Sequence, residues 1–368
     1  MKKPKITNSN KLYNKAKKII PGGSQTFSKG VTQFVEGFAP KYLHRGKGAH
    51  VWDVDKNKYL DYVMGCQPII LGYSDPDVNK AVVKQLELGS TFSLMNKLEI
   101  DVTELLINKI PCAESARYGK NGADVTTAAV RVARSVTGRD HIAYCGYHGW
   151  HDWYIGDTDL NSGIPKFNQK LAHSFKYNDL DSLEKIFKKN PDKVACVIME
   201  PLTILEPACY GPISCKKKAC KKFCHKNFLS EVKKMAHHYG SLLIFDEIIT
   251  GFRFSLGGAQ ELTNVTPDLA TFAKAISNAI PLSAVVGKKE YMSTLSKTFF
   301  SFTYGGDCIG LAAAKACIPK LEREDVPGHL NIVGTELKNG FNRLAINHGL
   351  QEFIECIGYP CRTIISFS

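Results

Sequence analysis

The chain has 368 residues, 44% of them hydrophobic and 23% charged, and a formal net charge of +13. That length leaves room for two domains with well-buried cores, and the composition excludes a disordered or fibrous protein. No apolar run approaches the ~20 residues of a membrane span. The basic start Met1-Lys2-Lys3-Pro4-Lys5 is not followed by the apolar stretch of a secretory signal, so a cytoplasmic protein without a membrane partner is expected. The lysines are spread along the chain and no nucleic-acid motif accompanies them, so nucleic acid is not an expected partner. The charge is compatible with an anionic, phosphorylated substrate.

Residues 7–20 read as a basic amphipathic helix with Leu12, Ala16, Ile19 and Ile20 on one side, stopped by Pro21-Gly22-Gly23. Tyr42-Leu43 and residues 50–60 read as strands, with a turn at 55–57. From about Asp75 helices and strands alternate. Residues 78–88, 97–109 and 126–136 have helical period, and 116–118, 141–144, 194–199, 241–245, 269–272 and 282–286 read as strands. This alternation predicts an α/β fold with a mainly parallel sheet flanked by helices. Residues 361–368 read as a further strand.

Parallel strands buried on both faces are continuous apolar runs, and ligands bind at their carboxyl ends. The residues just past each run are therefore candidate ligand contacts. Lys274 comes after 269–272, and Asp246 after 241–245. Alone, a lysine after a strand is usually solvated and an aspartate there is usually a turn or cap residue. Together they fit one cofactor, pyridoxal 5'-phosphate, with the amine forming a Schiff base and the carboxylate pairing with the pyridinium nitrogen. Other strand ends carry matching groups. Gly119-Lys120-Asn121-Gly122-Ala123 opens a helix and can hold a phosphate. Tyr147 lies in an aromatic cluster able to stack on a planar ring, and Glu200 adds a carboxylate.

Twelve cysteines are present. Cys145, Cys196 and Cys317 lie in apolar runs as small buried hydrophobes. Cys209, Cys215, Cys220 and Cys224, followed by His225, are weak metal candidates. Their spacing lacks the C-x2-C pairs of zinc modules, so a lysine-rich solvated segment is the favoured reading and no metal is expected.

From Ile20 to Ser368 the chain resembles the class-III pyridoxal-phosphate aminotransferases of fold type I, nearest to the branch containing glutamate-1-semialdehyde 2,1-aminomutase. The resemblance rests on Ile20-Pro21-Gly22-Gly23, the stretch 45–55, Ile70-Leu71-Gly72-Tyr73, Ala129-Val130-Arg131-Val132-Ala133-Arg134, Tyr147-His148-Gly149 and the stretch 243–253. It implies a seven-stranded large domain at 75–310 and a smaller α+β domain built from 1–74 and 311–368. The second of these segments stops short of the family's usual end, so an incomplete small domain is expected. By position, Lys274 resembles the Schiff-base lysine, Asp246 the partner of the ring nitrogen, and Tyr147 the stacked ring. Ile248 matches the aliphatic residue on the opposite face, and Gly122 and Ala123 match the phosphate turn. Thr303 resembles the threonine that reaches the neighbouring subunit's cofactor phosphate, which implies a homodimer. Thr26, Lys29, Cys66 and Glu200 fall at substrate-facing positions.

Departures accompany the likeness. The family's Ser-Gly-Thr-Glu-Ala turn reads Asn121-Gly122-Ala123-Asp124-Val125, without the threonine hydroxyl. Thr26 and Lys29 stand where the aminomutase has a serine and an arginine, and lysine cannot hold a carboxylate bidentately. Cys66 replaces a tryptophan, and the stretch 209–226 looks inserted. The expected activity is amino transfer between small-molecule amine and carbonyl substrates through Lys274. Intramolecular transfer of the aminomutase type, and a truncated inactive homologue or binding protein, are the alternatives.

Overall fold

The computed structural model describes residues 3–211, 223–224 and 226–368. Helix Thr7–Ile19 precedes a three-stranded antiparallel sheet of β1 (Leu43–Lys47), β2 (His50–Asp53) and β3 (Lys58–Leu60). The expected turn at 55–57 forms, organised by Asp53 Oδ1, which accepts from the amides of Asp55 and Asn57 at 2.9 and 2.8 Å. The Asp55 carboxylate in turn accepts from the amides of Asn8 and Ser9, both at 2.8 Å, and so anchors the first helix from a distance. The expected apolar side of that helix docks only in part. Ala16 and Ser9 are buried, while Leu12 and Ile19 are 42% and 69% exposed. The Asp55 anchor and the Ser9 hydroxyl, which accepts from Lys41 and Tyr42, set the rotation of the helix instead.

The central sheet contains β4 (Ser115–Gly119), β5 (His141–Cys145), β6 (Ala172–Ser174), β7 (Val194–Met199), β8 (Leu242–Asp246), β9 (Leu269–Phe272) and β10 (Ser283–Gly287), in the order β4-β10-β9-β8-β7-β5-β6. Only β10 runs against the others, pairing antiparallel with β4 and β9. Alternate residues of each strand feed two separate cores. Ala143, Val197, Leu243, Phe245, Ala270 and Phe272 enter one with helices Lys97–Lys109, Phe228–His238 and Cys308–Arg323. Ile142, Cys196, Ile198, Ile244, Leu269 and Val285 enter the other, under helix Gly122–Thr137. Burial on both faces is why these strands read as unbroken apolar runs, and each large side chain so buried contributes about 1.5–3 kcal/mol.

Helix Gly122–Thr137 begins four residues earlier than its apolar period suggests, directly in the glycine turn. Asp124 Oδ2 accepts from the amides of Lys120 and Asn121, fixing that start. Residue 311 lies inside helix Cys308–Arg323, whose Leu311, Ala314, Cys317 and Leu321 are buried in the first core. After it come helix Val326–Asn347 and a hairpin of β11 (Ile354–Tyr359) and β12 (Arg362–Phe367), the strand expected at the end of the chain. Gly334 lets this helix meet the hairpin, because a Cβ there would lie 1.8 Å from the Pro360 carbonyl oxygen. Among the described residues no helix is long and apolar enough to cross a membrane.

Candidate active site

Strands β4, β5, β7, β8 and β9 point the same way, and their carboxyl ends open on one cavity of about 390 Å³. Gly122, Ala123, Tyr147, Asp246, Ile248 and Lys274 all line it, as do Thr26 and Glu200.

Lys274 follows β9 in a tight turn with φ 47°, a left-handed conformation that costs a non-glycine residue energy and occurs where surrounding structure enforces it. Asn278, which ends this turn, ties it to an early part of the chain. Its Oδ1 accepts from the amides of Ile70 and Leu71 at 2.9 and 3.0 Å, and its Nδ2 donates to the Gly72 carbonyl at 3.0 Å. The early Ile70-Leu71-Gly72 segment is thereby stitched to the lysine turn. Burial pushes the Lys274 amine below the ordinary lysine range. Asp246 and Glu200 oppose that shift, while Arg362 and Arg253 reinforce it. An amine that loses its proton more readily is present to a greater extent in the neutral form that can act as nucleophile or base.

Asp246 ends β8 and is 3% exposed. Its Oδ2 receives the Nδ1 proton of His148 at 2.7 Å, and its Oδ1 accepts from the Ile248 amide at 3.1 Å and the Thr271 hydroxyl at 3.3 Å. His148 is itself enclosed by Tyr144, Trp153 and Tyr154, and among the described residues its Nε2 has no hydrogen-bond partner. Glu247 points away from the cavity, as strand alternation requires. It accepts from the amides of Ala259 and Gln260 and the hydroxyl of Thr250, and burial raises its pKa.

The turn before helix Gly122–Thr137 supplies an anion site. First-turn amides have no acceptor within their own helix, and the dipole favours negative charge there. Gly122 is closely packed, since a Cβ would meet Ile248 Cδ1 at 2.6 Å. Gly149, at φ 107°, lets the Tyr147–Gly149 loop lie on Ala123, with a Cβ at 2.7 Å from Ala123 Cβ. Lys120, beside this turn, pairs with Asp307 at 2.5 Å. An amine, a carboxylate, helix-start amides, a tyrosine ring and an isoleucine surrounding one cavity fit pyridoxal phosphate in charge and polarity.

Glu200 has a second partner that the sequence did not suggest. Its Oε1 accepts from the Tyr147 amide at 3.0 Å, and its Oε2 pairs with Arg362 Nη1 at 3.0 Å. Arg362 stands at the start of β12 and also donates to the Leu202 carbonyl. His148 and Arg362 are the residues missed by sequence reasoning. His148 could have been found from its place in the Tyr147-His148-Gly149 motif, whereas Arg362 carries no local signal.

Other expected residues lie elsewhere. Lys29 is exposed and outside the cavity lining, as is Thr303. Cys66 is half-buried beside the lining residue Pro68, in a run where Met64, Gly65, Cys66 and Gln67 all have positive φ. Arg253 supports that run by donating to the Gln67 carbonyl at 2.5 Å. Cys215, Cys220 and His225 lie outside the described residues. Cys209 is exposed, and no group of three metal-ligating side chains occurs among the described residues.

The family model for class-III aminotransferases matches residues 36–357. A 3-aminobutyryl-CoA aminotransferase of Cloacimonas acidaminovorans is 40% identical over 326 residues, covering 88% of this chain and 75% of that protein. A glutamate-1-semialdehyde 2,1-aminomutase of Wigglesworthia glossinidia brevipalpis is 34% identical over 366 residues, covering 95% and 81%. The FumI protein of Sphingopyxis sp. MTA144, solved with PLP, superposes with a TM-score of 0.86 at 25% identity, covering 98% of this chain and 84% of that one.

Proposed function

The chain belongs to the class-III aminotransferases, and from that membership we propose that it transfers an amino group from an amine donor to a carbonyl acceptor, with Lys274 as the residue that carries the cofactor. It is a pyridoxal-phosphate-dependent enzyme. When bound, the cofactor supplies an electron sink for carbanion character at the amine-bearing carbon. Lys274 Nζ, held low in pKa by burial, is the base that takes the proton from that carbon. Asp246 keeps a proton at the ring nitrogen, and His148 fixes the carboxylate that does so. Gly122 and Ala123 would hold the phosphate through their amides, while Tyr147 and Ile248 would confine the ring, since all four line the cavity. Thr26 and Glu200 face the substrate from the cavity wall.

The observation that carries this reading is the half-buried Lys274 amine opening on the same cavity as the Asp246 carboxylate. An amine donor added alone to the cofactor-loaded enzyme tests it. A transaminase changes the cofactor's visible absorption once, releases one equivalent of carbonyl product and stops until an acceptor is added. No absorption change with any donor, aminoacyl-CoA included, refutes the reading. That donor comes first because the 40% identical relative is named for one.

Intramolecular amino transfer is the second reading, supported by the 34% identity to the aminomutase. Turnover of a single substrate to completion without an acceptor would establish it. The exposed position of Lys29, outside the cavity, favours the transaminase. We further propose a homodimer in which Thr303, exposed and outside its own cavity lining, reaches the neighbouring subunit's cofactor phosphate. A monomeric mass for the cofactor-loaded protein in solution would refute that arrangement.

A further inference from the structure

A second cavity, of about 590 Å³, adjoins the first, and the indole of Trp150 lines both. We propose that this second cleft binds the nucleoside-diphosphate end of the substrate while the reacting end lies at Lys274. The inference rests on the transamination reading and deepens it by naming the substrate class.

The cleft is built for anions on one side. Thr127, Arg131 and Arg134 recur at i, i+4 and i+7 and form a single stripe on helix Gly122–Thr137, opposite the face buried in the core. Lys297 lines the same cleft. Both arginines are oriented by neutral acceptors. Arg131 Nη1 donates to the Phe299 carbonyl at 2.9 Å, and Arg134 Nε donates to the Asp140 carbonyl at 2.9 Å. The ion pairs among the described residues involve none of Arg131, Arg134 and Lys297. Three cations thus stand in one concavity outside any ion pair among the described residues, with the Asp140 carboxylate near Arg134 as a longer-range neighbour. Guanidinium and ammonium groups in that state favour phosphate oxygens.

The other side is built for a nucleoside. Trp153 is buried as a wall, and its Nε1 donates to Thr127 Oγ1 at 2.8 Å. The same hydroxyl lies 2.7 Å from His151 Nδ1. Trp150 packs edge-on against the His151 ring and remains 70% exposed, so its indole face is available for a planar base. Among the described residues Asp152 is the one carboxylate lining the cleft, and a carboxylate among cations suits the hydroxyls of a ribose. Phosphate alone would use the cations and leave the indole and the carboxylate without a role. Because Trp150 belongs to both cavities, a ligand stacked on it spans from the cationic cleft towards the cofactor cavity.

Nucleoside diphosphates can reach such an enzyme as coenzyme A or as nucleotide sugars, and the probes separate the two. Calorimetric titration of the cofactor-loaded enzyme would use ADP, coenzyme A, UDP, adenosine and inorganic pyrophosphate, with no amine substrate present. ADP and UDP should bind at least about tenfold more tightly than adenosine or pyrophosphate, leaving the cofactor's visible absorption unchanged. Coenzyme A exceeding UDP identifies the thioester carrier, and the reverse identifies the sugar carrier. Arg131→Ala and Lys297→Ala, both at exposed positions, should each weaken the better nucleotide about tenfold while retaining the cofactor. Trp150→Ala should lower the preference for nucleoside diphosphate over pyrophosphate. The inference is overturned if neither ADP, UDP nor coenzyme A binds up to about 1 mM, or if Arg131→Ala and Lys297→Ala bind them as tightly as the parent. Failure of binding beside a productive half-reaction with a small amine donor would sink this inference alone. Nucleotide binding without any half-reaction would sink the transamination reading and leave the cleft as a nucleotide site.

Discussion

Replacing Arg362 with methionine keeps the length of the side chain and removes the cation that faces Glu200. The two side chains are 16% and 11% exposed, and their atoms are 3.0 Å apart. Stripping one partner from a buried pair costs about 3–5 kcal/mol when the remaining charge is uncompensated. Glu200 is not fully abandoned, because the Tyr147 amide still donates to Oε1 and the carboxylate opens on the cavity. Arg362→Met should therefore destabilise by about 2–3 kcal/mol, at or just below the bottom of that range. Guanidinium unfolding at fixed protein and saturating cofactor concentration would measure it, since binding to the native state shifts the midpoint. Glu200→Gln in the Arg362→Met background should recover part of the loss, and the cycle should give a coupling of about 1–3 kcal/mol. A loss below about 0.5 kcal/mol, typical of surface substitutions, would refute the assignment. So would additivity of the two changes. The same variant bears on chemistry. Arg362 helps to hold the Lys274 amine low, so its removal should raise the pKa of that amine and move amine-dependent activity to higher pH.

Lys274 itself gives a stability signature. Its folded-state pKa lies below the ordinary value of 10.5, so between the two values the unfolded chain binds more protons and stability rises with pH. In cofactor-free protein, the stability of the parent relative to Lys274→Met should therefore increase as pH climbs towards 10.5 and decrease as pH falls through the folded-state value. A flat difference in unfolding midpoint over that window would contradict the burial argument. His148→Ala removes the 2.7 Å donor to Asp246. A hydrogen bond to a charged group is worth about 1.5–3 kcal/mol, so kcat should fall roughly tenfold to a hundredfold with the cofactor retained, and His148→Asn should restore part of it. Unchanged kcat in the alanine variant would remove His148 from the site. Gly334→Ala should cost at least about 1–3 kcal/mol, because the Pro360 backbone has to move away from the new methyl group. Thermal unfolding that matches the parent would show that the helix and hairpin are not packed this closely.

Much of the site was legible because each of its main residues directly follows an element with a strong local pattern. The strands Val194–Met199 and Leu269–Phe272 have the bounds expected from their apolar runs, and Glu200 and Lys274 follow within two residues. Asp246 was read from the same logic, although β8 includes it as its last residue. The glycine turn at Asn121-Gly122 announced a helix start, while the apolar period alone placed that start too late. Local pattern was only partly informative for helix Thr7–Ile19, where Ala16 is buried as expected but Leu12 and Ile19 face outward.

The amino-acid sequence alone determined the alternating α/β order, the buried strands and the chemistry waiting at their ends, because burial on both faces imposes an apolar run that needs no knowledge of neighbours. Only the tertiary structure decided the pairings. His148 meets Asp246 across 98 residues, Arg362 meets Glu200 across 162, and Asn278 holds Ile70 across 208. Each of these is a polar contact between side chains or backbone groups brought together by packing. A hydrogen bond acts over about 3 Å and leaves no periodicity along the chain, so its partner becomes visible only when the fold closes the distance.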